Sequence, residues 1–468
     1  MNLSKKDIQI RFIGENAFDV TGSMIWVKTP DTQILLECGL YQKNGNDITE
    51  YHINNAAFPF KPQEIDYVFI NHTHIDHCGR LPLLFKRGCK AQVIVPENNL
   101  PILEVLLNDS AKACKASAAS LTKQNGNAYP PIYTYDDVQD ALAHVTEYAF
   151  NTKFDLGPFT FRFVSSGHIL GSAQLELWID QKKILYTSDL GNIHIKKSYV
   201  ADFVPVEKAN IVIGESTYGG ESLIAGKKMR KNEVQLLSDT IFQTCMIDKA
   251  KVLIPVFANS RAQEMLTQLY DIISEDPMMK RIPVFLDSPM ANAICGVYDK
   301  VVDDPKWKKV REWINVRWLT SVEESNDARA YRGPAVILAA SGMMTNGRVR
   351  SWCRDLLPNS NNTIVFCGFA VEDSLAYVLK LGKKKKIKLS GEWIRNRAKI
   401  VDLRSYTSHM QQDDLIKYYS SIKCERVFLV HGEENSKLEL QSKLRDAIHK
   451  NDMTHRVYIP QKDEIFTM

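Results

Sequence analysis

The sequence has no CxxC pair, little net charge and no long apolar run. Its nine cysteines are an odd number and stand singly, which predicts reduced thiols in a cytoplasmic protein rather than a disulfide framework. The formal net charge is only +4, so overall charge gives no argument for nucleic-acid binding. Without a long apolar run, we expect neither a signal peptide nor a membrane span, and therefore no membrane partner.

The length and the apolar content predict more than one domain. A chain of 468 residues that is 44% hydrophobic indicates two domains, or one domain with a large insertion. Short β-like runs between helical patterns make the first half mixed α/β. From Ile211 onward, strand, loop and helix alternate, which favours a parallel, Rossmann-like sheet.

One short segment is dense in metal-binding side chains. It reads His72-Thr-His74-Ile-Asp76-His77 and follows the apolar run 66–71. Neutral imidazole and carboxylate groups suit zinc, and this spacing offers donors for two adjacent ions. The segment therefore predicts a metal-dependent hydrolase.

Other polar residues also follow strand-like runs directly. These residues are His72, His168, Asp189, Glu215 and His431. If the strands lie side by side in one direction, their ends converge on one rim, where open α/β sheets bind ligands. A lone histidine is more often a hydrogen-bonded structural residue. For His168 and His431 the strand-end position leaves both interpretations open.

The run Lys383-Lys-Lys-Lys386, extended by Lys388, is the exception in composition. Charge runs of this kind are usually solvated turns without a partner. The alternative is a contact with a phosphate backbone.

Taken together, the motifs resemble a known family. The segment from His72 to Gly79 resembles the signature of the metallo-β-lactamase fold, and four further segments extend the match: 167–171, 187–191, 214–220 and 430–432. The segments 257–264, 288–291 and 340–343, together with Glu215, are similar to the β-CASP branch. That branch contains RNA-processing nucleases such as RNase J and the pre-mRNA 3′-end processing endonuclease, and also the DNA-processing Artemis group.

The resemblance implies an α/β fold, namely an αββα metallo-β-lactamase sandwich with an inserted Rossmann-like β-CASP domain. It places the first part of the metallo-β-lactamase domain at 1–208, the β-CASP domain at 209–399 and the C-terminal return at 400–468.

The resemblance also implies two zinc ions bridged by Asp189. The ligands of the first are His72, His74 and His168, and those of the second are Asp76, His77 and His431. The catalytic residues implied are Asp76, Glu215 and His409, with His409 close to the scissile phosphate.

Two positions depart from the family pattern. The early acidic residue, usually aspartate before Cys-Gly, is here Glu37. We expect Glu37 to contact the metal ligands without binding the metal itself. Around His409 the family usually has Ser-Ala-His-Ala-Asp, whereas this chain has Thr407-Ser-His409-Met-Gln411.

The expected reaction is attack of an activated water on phosphorus. His409, oriented by Glu215, would donate a proton to the leaving ribose 3′-oxygen, so the products would carry a 5′-phosphate and a 3′-hydroxyl. Expected phosphate contacts are Ser260, Arg261, Ser341 and Gly342, because hydroxyls, guanidinium and backbone amides after strands suit oxyanions. Ser341-Gly342 reads equally well as a structural turn.

The leading hypothesis is therefore a zinc-dependent ribonuclease of single-stranded RNA in the cytoplasm. The alternatives are a two-zinc hydrolase of a small ester or thioester, a DNA-directed nuclease, and a non-catalytic RNA-binding subunit. Because the inserted domain suggests a polymer substrate, a small substrate is less favoured. The sequence leaves open endonuclease or 5′-exonuclease action, and it allows a homodimer.

Overall fold

The computed structural model describes residues 7–17, 19–42, 47–220, 227–368, 370, 374–389, 391–451 and 453–468. Contacts divide the chain into two compact units. Unit 1 comprises Met1–Lys196, Val200–Leu223 and Ser408–Met468, and unit 2 comprises Lys197–Tyr199 and Ile224–Thr407. Residues 1–6, where the sequence predicted no signal peptide, lie outside the described residues. Within the described ranges, no helix is both long and apolar enough to cross a membrane.

Unit 1 contains two sheets of seven strands each. In the first sheet the order is Ile465–Thr467, Gln9–Phe12, Ile25–Lys28, Gln33–Leu36, Tyr67–Phe69, Gln92–Pro96 and Val145–Tyr148. In the second sheet the order is Arg456–Tyr458, Arg426–Val430, Ile211–Glu215, Lys182–Tyr186, Ala173–Ile179, Thr160–Ser165 and Phe154–Asp155.

Successive side chains of these strands point to opposite faces, and this alternation builds three layers of core. In the first sheet, Phe69 belongs to the cluster between the two sheets, whereas its neighbour Val68 packs with the helices behind. In the second sheet, Ile213 faces the inner cluster and Val212 faces the helices. The predicted αββα sandwich is therefore confirmed.

Helices cover the outer face of each sheet. Those that pack on the first sheet or adjoin it are Asp47–Asn55, Ile75–Cys78, Leu81–Lys86, Leu100–Asn125 and Tyr135–Leu142, with the short 3-10 helix Pro62–Glu64. Another 3-10 helix, Glu15–Ala17, contributes Ala17 to the cluster between the two sheets. Those on the second sheet are Gln412–Ser421 and Glu434–Lys450. The longest helix has proline in its first turn and ends at Gly126, whose φ of +73° suits glycine and stops the helix.

Unit 2 contains a parallel sheet of six strands. The order is Val316–Leu319, Val284–Asp287, Ala335–Ala339, Lys251–Pro255, Thr363–Cys367 and Lys399–Leu403. The predicted parallel sheet is confirmed. Its order departs from the usual dinucleotide-binding arrangement, because Ala335–Ala339 lies between the first two strands of the unit.

The remaining elements of unit 2 are helices and one hairpin. The helices are Lys227–Ile241 continued by the π-helix Phe242–Ile247, then Arg261–Glu275, Pro289–Val301, Pro305–Arg311, Val322–Ala330, Val349–Leu356 and Leu375–Lys380, with the 3-10 helix Arg404–Tyr406. The hairpin pairs Lys386–Leu389 with Glu392–Arg395.

Two strands explain why the compact units differ from the predicted boundaries at 209 and 400. Ile211–Glu215 hydrogen-bonds to strands of unit 1 on both sides. Lys399–Leu403 pairs with Thr363–Cys367 in the sheet of unit 2. These pairings join segments that are separated in the chain, so a local sequence pattern does not reveal them.

One buried carboxylate accepts hydrogen bonds from several elements of unit 2. Asp287, at the end of its strand, is fully buried. It accepts hydrogen bonds from Ser325 Oγ at 2.6 Å, from Arg348 Nη1 at 2.6 Å and from the Trp352 indole at 2.7 Å. Three donors and one positive charge offset the cost of burying it.

We expect Asp287→Asn to lower the free energy of unfolding of unit 2 by about 3 kcal/mol, because the charge of Arg348 loses its partner and amide hydrogens face other donors. Urea unfolding followed by tryptophan fluorescence measures the effect. The matched control is Asp303→Asn, since Asp303 pairs with Lys308 while its side chain is 94% exposed; no measurable change is expected there. Equal effects in the two variants would contradict the role given to Asp287.

Candidate metal centre

The predicted ligands of unit 1 lie together at the ends of its strands. His72 follows Tyr67–Phe69, His168 follows Thr160–Ser165, Asp189 follows Lys182–Tyr186, and His431 follows Arg426–Val430. The structure thus brings four distant segments of the chain to one place.

The first group of donors is three histidines and a carboxylate. His74 Nδ1 lies 3.3 Å from His168 Nε2. Oδ2 of Asp189 lies 3.4 Å from His72 Nε2 and 3.6 Å from His168 Nε2. The ligand atoms of all four residues lie within 4.8 Å of one another.

The second group contains Asp76, His77 and His431. His77 Nε2 lies 3.3 Å from His431 Nε2, and Oδ2 of Asp76 lies 3.4 Å from the same nitrogen of His431. Oδ1 of Asp189 lies 3.4 Å from both His77 Nε2 and His431 Nδ1. Asp189 therefore presents one oxygen to each group.

The distances between these donor atoms are those expected of ligands around a shared metal ion, and most are too long for good hydrogen bonds. Nitrogen and oxygen ligands around a tetrahedral zinc ion, each about 2.0–2.1 Å from it, stand about 3.3 Å apart. Two buried atoms, His72 Nε2 and Asp189 Oδ1, have no hydrogen-bond partner among the described residues. A cation at each group would satisfy them.

The short helix Ile75–Cys78 carries two of the donors, Asp76 and His77, and is held in place by backbone hydrogen bonds from earlier residues of the chain. Cys38 N donates to the carbonyl of His77, and Ser23 N donates to that of Asp76, each at 2.8 Å. A Cβ added to Gly39 would lie 1.7 Å from the carbonyl oxygen of Asp76. Glycine at position 39 is therefore required for this close approach.

Glu37 supports the histidines of both groups. It is fully buried, and its Oε1 lies 3.7 Å from His77 Nδ1 and accepts a hydrogen bond from Ser188 Oγ at 3.1 Å. Ser188 Oγ also lies 3.1 Å from His72 Nδ1. Burial raises the pKa of Glu37 well above its usual value, although the hydrogen bonds from Ser188 and Asn71 oppose this.

Sequence reasoning missed three residues that contact the predicted metal ligands. They are Ser188, Thr217 and Ser408. Thr217 Oγ1 lies 3.0 Å from His431 Nδ1, and the carbonyl of Ser408 lies 3.2 Å from His168 Nδ1. Groups of this kind fix the orientation of a metal-binding ring. The available signal was their position, next to Asp189, Glu215 and His409.

Burial keeps most of the histidines neutral. It lowers the pKa of His74 to about 4 and also lowers the pKa of His77 and of His168. The neutral ring is the form that binds a metal. For His431, burial acts in the same direction, but the carboxylates of Asp189 and Asp76 outweigh it and raise the pKa of His431 to about 9. A metal ion would compete with that proton.

Glu215 and His409 form a pair beside the metal donors. Glu215 Oε1 lies 3.2 Å from His409 Nδ1 and accepts the backbone N–H of Leu190 at 2.7 Å. The His409 ring centroid lies 4.5 Å from that of His168. Where the family has an acid, Gln411 donates from Nε2 to the carbonyl of His409 at 3.0 Å, so the changed motif still fixes this segment.

The predicted phosphate contacts lie in unit 2. Ser260 and Arg261 follow Lys251–Pro255, and Ser341 and Gly342 follow the adjacent strand Ala335–Ala339. Ser260 and Arg261 are 3% and 7% exposed, whereas Ser341 and Gly342 are half-buried. Gly342 lines a small pocket with Phe257, Cys367 and Gly368.

Comparison with known families matches three parts of the chain. The model of the metallo-beta-lactamase superfamily matches residues 18–209, that of the Beta-Casp domain matches 262–379, and that of the Zn-dependent metallo-hydrolase RNA specificity domain matches 393–460.

Several curated proteins are similar over most of the chain. Ribonuclease TTHA0252 of Thermus thermophilus is 30% identical over 91% of this chain and 93% of its own length. Cleavage and polyadenylation specificity factor 73 of Drosophila melanogaster is 28% identical over 94% of this chain and 62% of its own length. Probable RNase MJ4 of Methanocaldococcus jannaschii is 27% identical over 89% and 92%.

Among solved structures, a protein of unknown function from Enterococcus faecalis V583 has the same fold. The TM-score is 0.53 at 12% identity, and the match covers 99% of this chain and all of that one.

Metal content tests the central position of Asp189. We expect Asp189→Ala to lose metal from both groups, because each of its oxygens faces one of them. We expect Glu37→Gln to keep the wild-type stoichiometry at saturating metal but to bind about 10–100-fold more weakly. Elemental analysis after gel filtration and titration with a competing chelator measure both.

The control for these variants is Asp202→Ala, because that side chain is 66% exposed and lies outside both donor groups. Retention of wild-type metal content by Asp189→Ala would rule out the bridging position.

Proposed function

Since the chain belongs to the metallo-β-lactamase superfamily and to its β-CASP branch, we propose that it is a zinc-dependent ribonuclease that hydrolyses phosphodiester bonds of single-stranded RNA. The observation that carries this is the arrangement around Asp189, whose two oxygens face two separate groups of imidazole and carboxylate donors. The names of the similar proteins, which include ribonucleases, support RNA as the substrate.

We propose that two zinc ions occupy the two donor groups. Histidine nitrogen and carboxylate oxygen suit zinc, and no cysteine belongs to either group. When bound, such ions supply Lewis acidity toward phosphoryl oxygens and make water a stronger nucleophile at neutral pH. The chain itself holds the donors in place, through Glu37 and Ser188 behind His72 and His77.

His409 is the proposed proton donor to the ribose 3′-oxygen that leaves. The carboxylate of Glu215 accepts from Nδ1 of His409, and Nε2 is the nitrogen proposed to face the substrate. A backbone bridge between His409 and Gly191 holds the ring close to Asp189. Proton donation at this atom gives a 3′-hydroxyl and leaves the phosphate on the 5′ side of the following nucleotide.

Ser260, Arg261, Ser341 and Gly342 are proposed phosphate contacts of unit 2. Local charge supports this assignment. Arg230, Arg261 and Lys197 all pair with the carboxylate of Glu264, which gathers three basic side chains at this place. Burial lowers the pKa of Lys197 to about 8, although Glu264 opposes the shift. A cluster of basic side chains favours binding of a phosphate.

Cleavage of end-labelled single-stranded RNA, with DNA of the same sequence in parallel, tests the function. We expect His77→Ala to slow RNA cleavage by a factor of about a thousand, because loss of one metal removes about 4 kcal/mol of transition-state stabilisation. Chelator should have a similar effect on the wild type, and added zinc should reverse it.

The matched control is His52→Ala, the same substitution at an exposed histidine, which should leave the rate unchanged. A chelator-resistant rate, or a wild-type rate in His77→Ala, would refute the metal-dependent mechanism. Faster cleavage of the DNA than of the RNA would show that the protein is a DNA nuclease instead. The length of the first labelled product separates endonuclease from 5′-exonuclease action.

A further inference from the structure

The lysine-rich segment of unit 2 forms a β-hairpin with two different faces. Lys386–Leu389 pairs antiparallel with Glu392–Arg395. Ile387 and Leu389 are 4% and 1% exposed and belong to the hydrophobic core of unit 2, with Ile394 packed against it. Residues that alternate with these point away from the core. The hairpin is therefore anchored through one face and exposes the other.

The exposed face carries cations and one aromatic ring. Lys386 lies opposite Arg395, and Lys388 lies opposite Trp393. All four side chains are exposed. Like charges directly opposite on neighbouring strands destabilise a hairpin, so folding alone gives no reason for the pair Lys386 and Arg395.

Positive charge continues on both sides of the strands. The basic residues of this surface are Lys383, Lys384, Lys385, Lys386, Lys388, Arg395 and Arg397, and the acidic residue within the same stretch is Glu392. In the part of unit 2 that the structure describes, none of these seven side chains is recorded in an ion pair. The flanking lysines differ, since Lys380 pairs with Asp402 at 2.8 Å and Lys399 pairs with Asp248 at 2.6 Å. The fold neutralises the lysines at the edges and leaves the hairpin charged.

Trp393 is the second unusual feature of this surface. Its side chain is 66% exposed, although tryptophan is among the residues that gain most from burial. Among the described residues no aromatic or cationic partner of its ring is recorded. Proteins bind single strands of nucleic acid with this combination of an exposed aromatic ring and neighbouring cations. The bases stack on the ring, and the cations contact the phosphates.

We propose that the hairpin surface, formed by Lys383–Lys386, Lys388, Trp393, Arg395 and Arg397, binds single-stranded RNA and is a second contact for the substrate besides the metal centre. The choice of RNA as the nucleic acid rests on the proposed function. A membrane surface is less favoured because binding in the lipid interface needs a broad apolar face, and the outward face of the hairpin offers one ring.

Binding without cleavage tests this inference. A fluorescein-labelled oligouridylate is titrated with the full chain in excess chelator, so that hydrolysis does not interfere, over a series of salt concentrations. For the triple variant Lys384→Gln, Lys385→Gln and Lys386→Gln we expect affinity to fall roughly tenfold, and the slope of log affinity against log salt to decrease by up to about 2, at about 0.7 for each lost phosphate contact.

Trp393→Ala should weaken binding roughly fivefold or more, and Trp393→Phe should retain most of the affinity, because phenylalanine still stacks on a base. The matched control for the lysines is Lys280→Gln, Lys300→Gln and Lys309→Gln, with the same change in charge at exposed lysines elsewhere in unit 2. This control should bind like the wild type. Unchanged thermal unfolding of each variant shows that the hairpin is intact.

Wild-type affinity in both hairpin variants, or an equal loss in the lysine control, would overturn the inference. It would also be overturned if vesicles of phosphatidylcholine and phosphatidylserine bound the wild type and lost binding in the variants while RNA did not. The outcome is separable from that of the proposed function. RNA binding that depends on the hairpin can be observed in a protein that cleaves no RNA, and a chelator-sensitive ribonuclease can bind normally without these lysines.

Discussion

The carboxylate of Asp189 is the group around which unit 1 is arranged. Its Oδ2 faces His72 and His168, and its Oδ1 faces His77 and His431, with every distance between 3.4 and 3.6 Å. The side chain is almost completely buried, and a buried carboxylate is costly unless positive charge lies nearby. Bound metal would supply that charge and would thereby stabilise this part of unit 1.

The backbone at the centre departs from ordinary strand geometry. Glu37, Ser188 and His431 have φ values of +64°, +48° and +52°, a region that residues other than glycine rarely occupy. Each follows directly after a strand or close to its end, and the unusual turn directs the side chain inward. Such conformations cost free energy and persist where the surrounding contacts determine them. Here Ser188 contacts both Glu37 and His72.

Sequence reasoning could identify the dense cluster from His72 to His77, because metal-ligand spacing is a local pattern, and the αββα fold followed from the resemblance of the motifs to the metallo-β-lactamase family. It could not identify Ser188 as the link between Glu37 and His72, since that role depends on a left-handed turn and on a contact across 151 positions. The same limit applies to the strand Lys399–Leu403, whose hydrogen-bonding neighbour Thr363–Cys367 cannot be identified from a local pattern.

The contact between His77 and His431 joins residues 354 positions apart, with all of unit 2 between them in the sequence. Contacts of such long range form late, because the entropy of closing the loop must be overcome first. During synthesis the N-terminal histidines leave the ribosome long before His431 is made. A growing chain therefore lacks a complete second group of donors until both units have been translated, and the order of synthesis itself delays assembly of the centre.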